Sequence, residues 1–108
     1  MLHDTADFTL DTDAAEADVT VTVAGEIDLD TAGRFRDAAL SALTAAPKTL
    51  RLDLAGVSFM DSTGLHALMA TKRRADLAGV QLVLTRPSPT VARLLDLSGL
   101  DRVFERDG

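Results

Sequence analysis

Several residue types are missing from this sequence of 108 residues, and each absence excludes a class of protein. There is no cysteine, which excludes disulfides, thiolate nucleophiles and cysteine metal sites. There is no tryptophan or tyrosine, and aromatic content is only 4%, so no platform of exposed rings for stacking bases is expected. Acidic residues outnumber basic ones and give a net charge of -6, which argues further against direct binding to nucleic acid.

Long apolar runs are missing as well. No run approaches the ~18 residues that a membrane-spanning helix needs, so membrane insertion is not expected. The first ten residues, MLHDTADFTL, contain neither the basic segment nor the apolar core of a signal peptide. From these two absences we expect a cytoplasmic protein.

The apolar residues that are present make up 46% of the chain, enough for one core in a single domain over 1–108. Strict alternation predicts strands at VTVTVAG (19–25) and TLRLDL (49–54), and the apolar run VQLVLT (80–85) predicts a buried strand. Weaker strands are predicted at DFTLD (7–11) and RVFE (102–105).

Helical spacing of apolar residues separates these strands. It runs from Ala32 to Leu43, then from Ser62 to a stop at Gly79, and again within 87–100. Asp30 or Thr31 is a candidate cap for the first of these helices, and Ser88 for the last. Strands and helices alternate after the second strand, which predicts an α/β fold with a largely parallel sheet.

The acidic segment DTDAAEAD (11–18) is predicted to be a surface turn, and Gly25 is predicted to end the second strand. The segment lacks the glycine and the terminal glutamate of a calcium-binding loop. We therefore expect no metal site there. The scattered glycines form no phosphate-binding loop, and no cofactor is predicted.

Three polar residues, Asp61, Ser62 and Thr63, interrupt the apolar stretch VSFMDSTGLHAL (57–68) and precede Gly64. Residues of these types are preferred helix caps, each worth about 1 kcal/mol, so a structural role is one interpretation. The same position offers unpaired N–H groups of a helix start, which favour negative charge. A phosphate on Ser62 is the second interpretation, because it would add about -1.5 to -2 charge at pH 7.

A third interpretation is catalytic. His66 follows Ser62 by four residues, so the two side chains could face each other on one helix as a nucleophile and its base. The sequence provides no third group to orient the imidazole and no evident oxyanion hole. An exposed helix residue is the simpler interpretation of His66, and we expect no enzyme.

Together these segments resemble the STAS domain, specifically the small anti-sigma factor antagonists of bacteria. The resemblance is carried by four stretches, which are GEIDLDTA (25–32), LRLDLAGVSFMDSTGLHAL (50–68), GVQLVL (79–84) and VARLLDLSGLDRVF (91–104). It implies a mixed, mostly parallel sheet of about five strands covered by helices. This agrees with the predicted order of elements.

The resemblance also implies a binding switch without catalysis. In such families the unmodified antagonist binds an anti-sigma factor that is also a serine kinase, and this releases the sigma factor. Phosphorylation of the motif serine breaks the complex, and a serine phosphatase resets it. Carried onto this chain, the phosphoacceptor is Ser62. The residues implied to form the partner-binding surface are Glu26, Asp28, Asp61, Ser62, Thr63, Gly64 and His66.

His66 departs from the family pattern, because relatives often have a small residue there, and we expect its bulk to affect partner choice. One alternative stays open at this point. The chain could be a STAS-type scaffold subunit of a transport or signalling complex that is never phosphorylated, with Ser62 acting only as a cap.

Overall fold

The structure, a computed structural model, describes residues 8–108, so Asp7 and His3 lie outside the described residues. The strands and helices follow the predicted order, and the α/β prediction is confirmed. The elements are β1 (Thr9–Ala15), β2 (Asp18–Ile27), α1 (Ala32–Thr44), β3 (Thr49–Met60), α2 (Ser62–Ala78), β4 (Gln81–Thr85), α3 (Pro89–Leu97) and β5 (Glu105–Asp107).

The five strands form one sheet in the order β1-β2-β3-β4-β5. β1 runs antiparallel to β2, and the other neighbouring strands are parallel. A short turn is enough for the antiparallel pair, whereas each parallel pair needs a crossover, which α1, α2 and α3 provide. The mixed, mostly parallel sheet implied by the family resemblance is therefore confirmed.

The core lies where the alternating apolar side chains of β2 and β3 meet the helices. Val21, Leu52, Phe35 and Leu68 are completely buried and represent β2, β3, α1 and α2. Burying each large apolar side chain contributes roughly 1.5–3 kcal/mol relative to leaving it exposed. α1 and α2 also pack on each other, so the start of α2 is held both by the sheet and by α1.

The predicted surface turn over 11–18 is wrong for most of its length. β1 continues to Ala15 and pairs along its length with β2, leaving only Glu16 and Ala17 as the turn. The side chains of β1 after Leu10 are exposed, so nothing in the strand requires apolar alternation. Hydrophobic periodicity therefore cannot predict an edge strand whose side chains are polar.

Two predicted strand ends are also wrong. Gly25 does not terminate β2, because the strand runs to Ile27. Gly25 has a φ of 99°, and the register between β2 and β3 shifts directly after it. Glycine at that point marks an irregularity within the strand. The last strand is Glu105–Asp107 instead of 102–105, because the chain turns over 101–103 and buries Phe104 before pairing begins.

Candidate functional site

The predicted site residues converge where β2 and β3 end side by side. Ile27 and Met60 are register partners, and the N–H of Asp61 donates to the carbonyl oxygen of Ile27 at 3.2 Å. Carboxyl ends of adjacent parallel strands share one edge of a sheet, and α2 begins immediately after that edge. Glu26 and Asp28, at the end of β2 and just beyond it, therefore lie beside the start of α2.

Gly64 allows this close approach. A Cβ atom at that position would lie 2.7 Å from Cγ of Met60 and 2.8 Å from Cγ2 of Ile27. Both distances are below any normal carbon contact, so a larger residue would push α2 away from the strand ends. Gly64 thus fixes where the first turn of α2 sits relative to β2.

The first turn of α2 is capped by Asp61. Its Oδ1 accepts hydrogen bonds from the N–H of Thr63 at 2.9 Å, from the N–H of Gly64 at 3.2 Å, and from the Thr63 hydroxyl. The hydroxyl bond, followed by the two N–H bonds, outweighs partial burial and lowers the pKa of Asp61 below its ordinary value of 3.8. Asp61 is therefore a fixed anion at this edge.

These bonds correct the sequence-based view of the helix start. The N–H groups of Thr63 and Gly64 are not free to receive a phosphate, because the carboxylate of Asp61 already occupies them. Asp61, and not Ser62, is the cap residue. Ser62 is exposed as the first residue of α2, and its hydroxyl makes no hydrogen bond within residues 8–108.

The loop between β2 and α1 is held by Thr31, which is buried. Its hydroxyl donates to the carbonyl of Glu26 at 2.7 Å and accepts from the N–H of Asp28 at 2.9 Å. Oδ1 of Asp28 accepts from the N–H of Asp30 at 3.0 Å. The prediction that Thr31 or Asp30 caps α1 is wrong in its chemistry, since Thr31 stands at the cap position without a side-chain cap bond and instead orders the loop.

His66 is exposed on α2 and borders a shallow cleft of about 260 Å³ between α1 and α2. Arg36 and Thr63 also line this cleft. Within the described part of the chain, His66 and Ser62 share no hydrogen bond. The geometry therefore gives no support to the nucleophile-and-base hypothesis, and it adds Arg36, which the sequence did not single out.

Two exposed apolar side chains at this edge were also missed. Phe59 is 45% exposed near the end of β3, and Leu29 is 78% exposed in the loop after β2. Leu29 stands between two aspartates in a segment without hydrophobic periodicity. These two features are the signal that could have indicated an exposed loop position.

Substitutions at Asp61 test its role as the cap of α2. We expect Asp61→Ala to lower the free energy of unfolding by about 1 kcal/mol, because two N–H groups lose their acceptor. Asp61→Asn should retain most of the cap. Urea unfolding near neutral pH measures both.

The Asp61→Asn variant also tests the lowered pKa of Asp61. A carboxylate whose pKa is lower in the folded state stabilises the protein above its unfolded pKa, and this contribution is lost as pH falls through the folded pKa. Between about pH 5 and about pH 2 the wild type should therefore lose more stability than Asp61→Asn, which has no carboxylate at this position. Equal losses would contradict the assigned hydrogen bonds.

Within residues 8–108, no group of three His, Asp or Glu side chains is placed to hold a metal ion. No described helix combines the length and the apolar character needed to cross a membrane.

Comparison with known proteins places these features in a family. The STAS domain model matches residues 9–107. The anti-sigma-B factor antagonist of Bacillus subtilis (strain 168) is 37% identical over 90 residues, covering 83% of this chain and 82% of the relative.

Solved structures agree. The crystal structure of an anti-sigma factor antagonist from Mycobacterium paratuberculosis superposes with a TM-score of 0.80 at 30% identity, covering 98% of this chain and 90% of that one. The Bacillus cell fate determinant SpoIIAA in its phosphorylated form gives 0.71 at 25% identity, covering 94% and 90%. The chain therefore belongs to the STAS domain family, in its group of anti-sigma factor antagonists.

Proposed function

We propose that this chain is a phosphorylation-controlled antagonist of an anti-sigma factor that is also a serine kinase. The unphosphorylated form binds the kinase through the edge formed by the β2–α1 loop and the start of α2, which releases the sigma factor. The kinase then phosphorylates Ser62, the complex dissociates, and a serine phosphatase restores the binding form. The reaction partners would all meet in the cytoplasm, and the chain itself performs no catalysis.

The observation that carries the proposal is the placement of Ser62. Its hydroxyl is exposed and unbonded within residues 8–108, at the first position of a helix that is already capped by its neighbour Asp61. Ser62 therefore has no structural task that would explain it, and a kinase can reach it without unfolding the helix. The phosphorylated form of the relative SpoIIAA supports the same chemistry.

The electrostatics of the site explain how modification would break a complex. Asp61 is held as an anion directly before Ser62, and its carboxylate already accepts from the N–H groups of Thr63 and Gly64. A phosphoserine would place about -1.5 to -2 further charge at this edge, beside Asp61 and near Glu26. Any partner docked there would meet both the bulk of the phosphate and a large, unneutralised negative charge.

Binding to the purified anti-sigma kinase of the source organism tests this proposal. Ser62→Ala should bind as tightly as the unmodified wild type, whereas Ser62→Asp should bind at least tenfold more weakly, a loss of about 1.4 kcal/mol. Isothermal titration calorimetry without ATP gives both affinities. Incubation with ATP followed by mass spectrometry should place the phosphate on Ser62 and nowhere in Ser62→Ala.

Equal affinities of Ser62→Ala and Ser62→Asp would contradict the switch. Tight binding by both variants, with no phosphate incorporated by any such kinase of the genome, would instead favour the alternative, a STAS scaffold subunit that is never phosphorylated.

A further inference from the structure

Phe59 is exposed because β3 carries an extra residue just before it. Register partners change from Gly25 with Val57 to Glu26 with Phe59, so Ser58 has no counterpart on β2. In a regular strand Phe59 would share the buried side with Val57, because side chains alternate with a period of two. The bulge turns both Ser58 and Phe59 outward and returns Met60 to the core.

Leu29 is brought to the same edge of the sheet by the loop after β2. It follows Ile27 by two residues, and Phe59 precedes Asp61 by two residues. Since Asp61 donates its N–H to the Ile27 carbonyl, both apolar side chains lie within two residues of one hydrogen bond. The ordered turn that Thr31 imposes holds Leu29 78% exposed, with no core contact to compensate.

Acidic residues flank both positions. Glu26 is the register partner of Phe59 and is exposed, and Leu29 stands between Asp28 and Asp30 in the loop. An apolar pair bordered by acids complements a hollow lined with aliphatic side chains and rimmed by Lys or Arg. It does not suit a nucleic-acid or acidic surface.

We propose that Leu29 and Phe59 are the apolar anchors of the partner interface, seated in a basic-rimmed hollow of the anti-sigma kinase. This inference rests on the proposed function and adds to it the residues that provide affinity, as distinct from the residue that switches it. Asp61 and Ser62 follow Phe59 by two and three residues, so a phosphate on Ser62 would disturb a partner already seated on the anchors. Interfaces concentrate their binding energy in a few side chains that become buried near the centre, while charged rims mainly guide association.

Alanine variants at the anchors test the inference, and the chain offers a matched control. Leu77, near the end of α2, is 79% exposed, almost the same as Leu29, but lies away from this edge. Against the purified anti-sigma kinase without ATP, Leu29→Ala and Phe59→Ala should each bind at least tenfold more weakly than wild type. Leu77→Ala should bind as wild type does, and urea unfolding midpoints should be close for all four proteins.

The outcomes separate this inference from the proposed function. If Ser62→Ala and Ser62→Asp differ in affinity but the anchor variants bind as Leu77→Ala does, the anchors are wrong and the switch stands. A wild-type chain that binds no such kinase overturns both. Sedimentation velocity adds a check: a concentration-dependent dimer of the wild type that is lost in Leu29→Ala would assign the pair to self-association and overturn the inference.

Discussion

Replacing Gly64 with alanine should lower the free energy of unfolding by about 1–2 kcal/mol, although alanine is the better helix former. The new Cβ would lie 2.7 Å from Met60 and 2.8 Å from Ile27, and the Ile27 carbonyl oxygen is only 3.1 Å away. Overpacking of this kind costs about 1–3 kcal/mol and occasionally more. The higher helix propensity of alanine returns only about 1 kcal/mol.

Gly33→Ala is the matched control. Gly33 also lies in a helix, α1, but a Cβ there would meet nothing within 4 Å. Only propensity applies, so this variant should be more stable than wild type by about 0.5–1 kcal/mol. Chemical denaturation of both variants gives the comparison. Opposite signs are expected, and a stabilised Gly64→Ala would mean that α2 is not seated on the strand ends as described.

Replacing Thr31 with valine should cost about 2–3 kcal/mol. Valine keeps the shape of the side chain but removes the hydroxyl, which leaves the Glu26 carbonyl and the Asp28 N–H without their buried partner. An unsatisfied buried group costs about 1–3 kcal/mol. Both of these hydrogen bonds are part-buried, so each of the two groups should cost near the lower end of that range. The loop should also lose its order, so affinity for the kinase should fall together with stability.

Thr44→Val controls for the substitution itself. The Thr44 hydroxyl donates to the carbonyl of Ser41, but this bond is exposed, and water can replace it. We expect its unfolding free energy to change by less than about 0.5 kcal/mol. Amide hydrogen exchange then locates the effect of Thr31→Val. The N–H of Asp28, which loses its acceptor, should show the largest increase in exchange rate. Similar losses of stability in both variants would show that the buried hydroxyl has no special role.

The sequence predicted the elements that depend on burial. Each of Val21, Leu52 and Phe35 belongs to a series of apolar residues with the period of its own strand or helix, because that side of the element faces the core. This periodicity can be seen in a single sequence. The helix stop at Gly79 and the cap at Ser88 are local signals of the same kind, and both are confirmed.

The parts that were missed depend on contacts between distant segments. Nothing in the local sequence shows that Ser58 would be an unmatched residue, because a bulge is defined only against the partner strand. Asp61 is the cap, and its N–H donates to the Ile27 carbonyl of the neighbouring strand, a contact that no local pattern shows. The role of Thr31 likewise depends on where the Glu26 carbonyl lies.

The capping of α2 by Asp61 bears on how the proposed modification of Ser62 would affect stability. Because Asp61 already accepts from the N–H groups of Thr63 and Gly64, a phosphate on Ser62 would not find these two groups free. If Ser62 is phosphorylated as proposed, we therefore expect its modification to change the urea unfolding midpoint only slightly. The ratio of the two proposed forms would then change without a change in the total amount of folded protein.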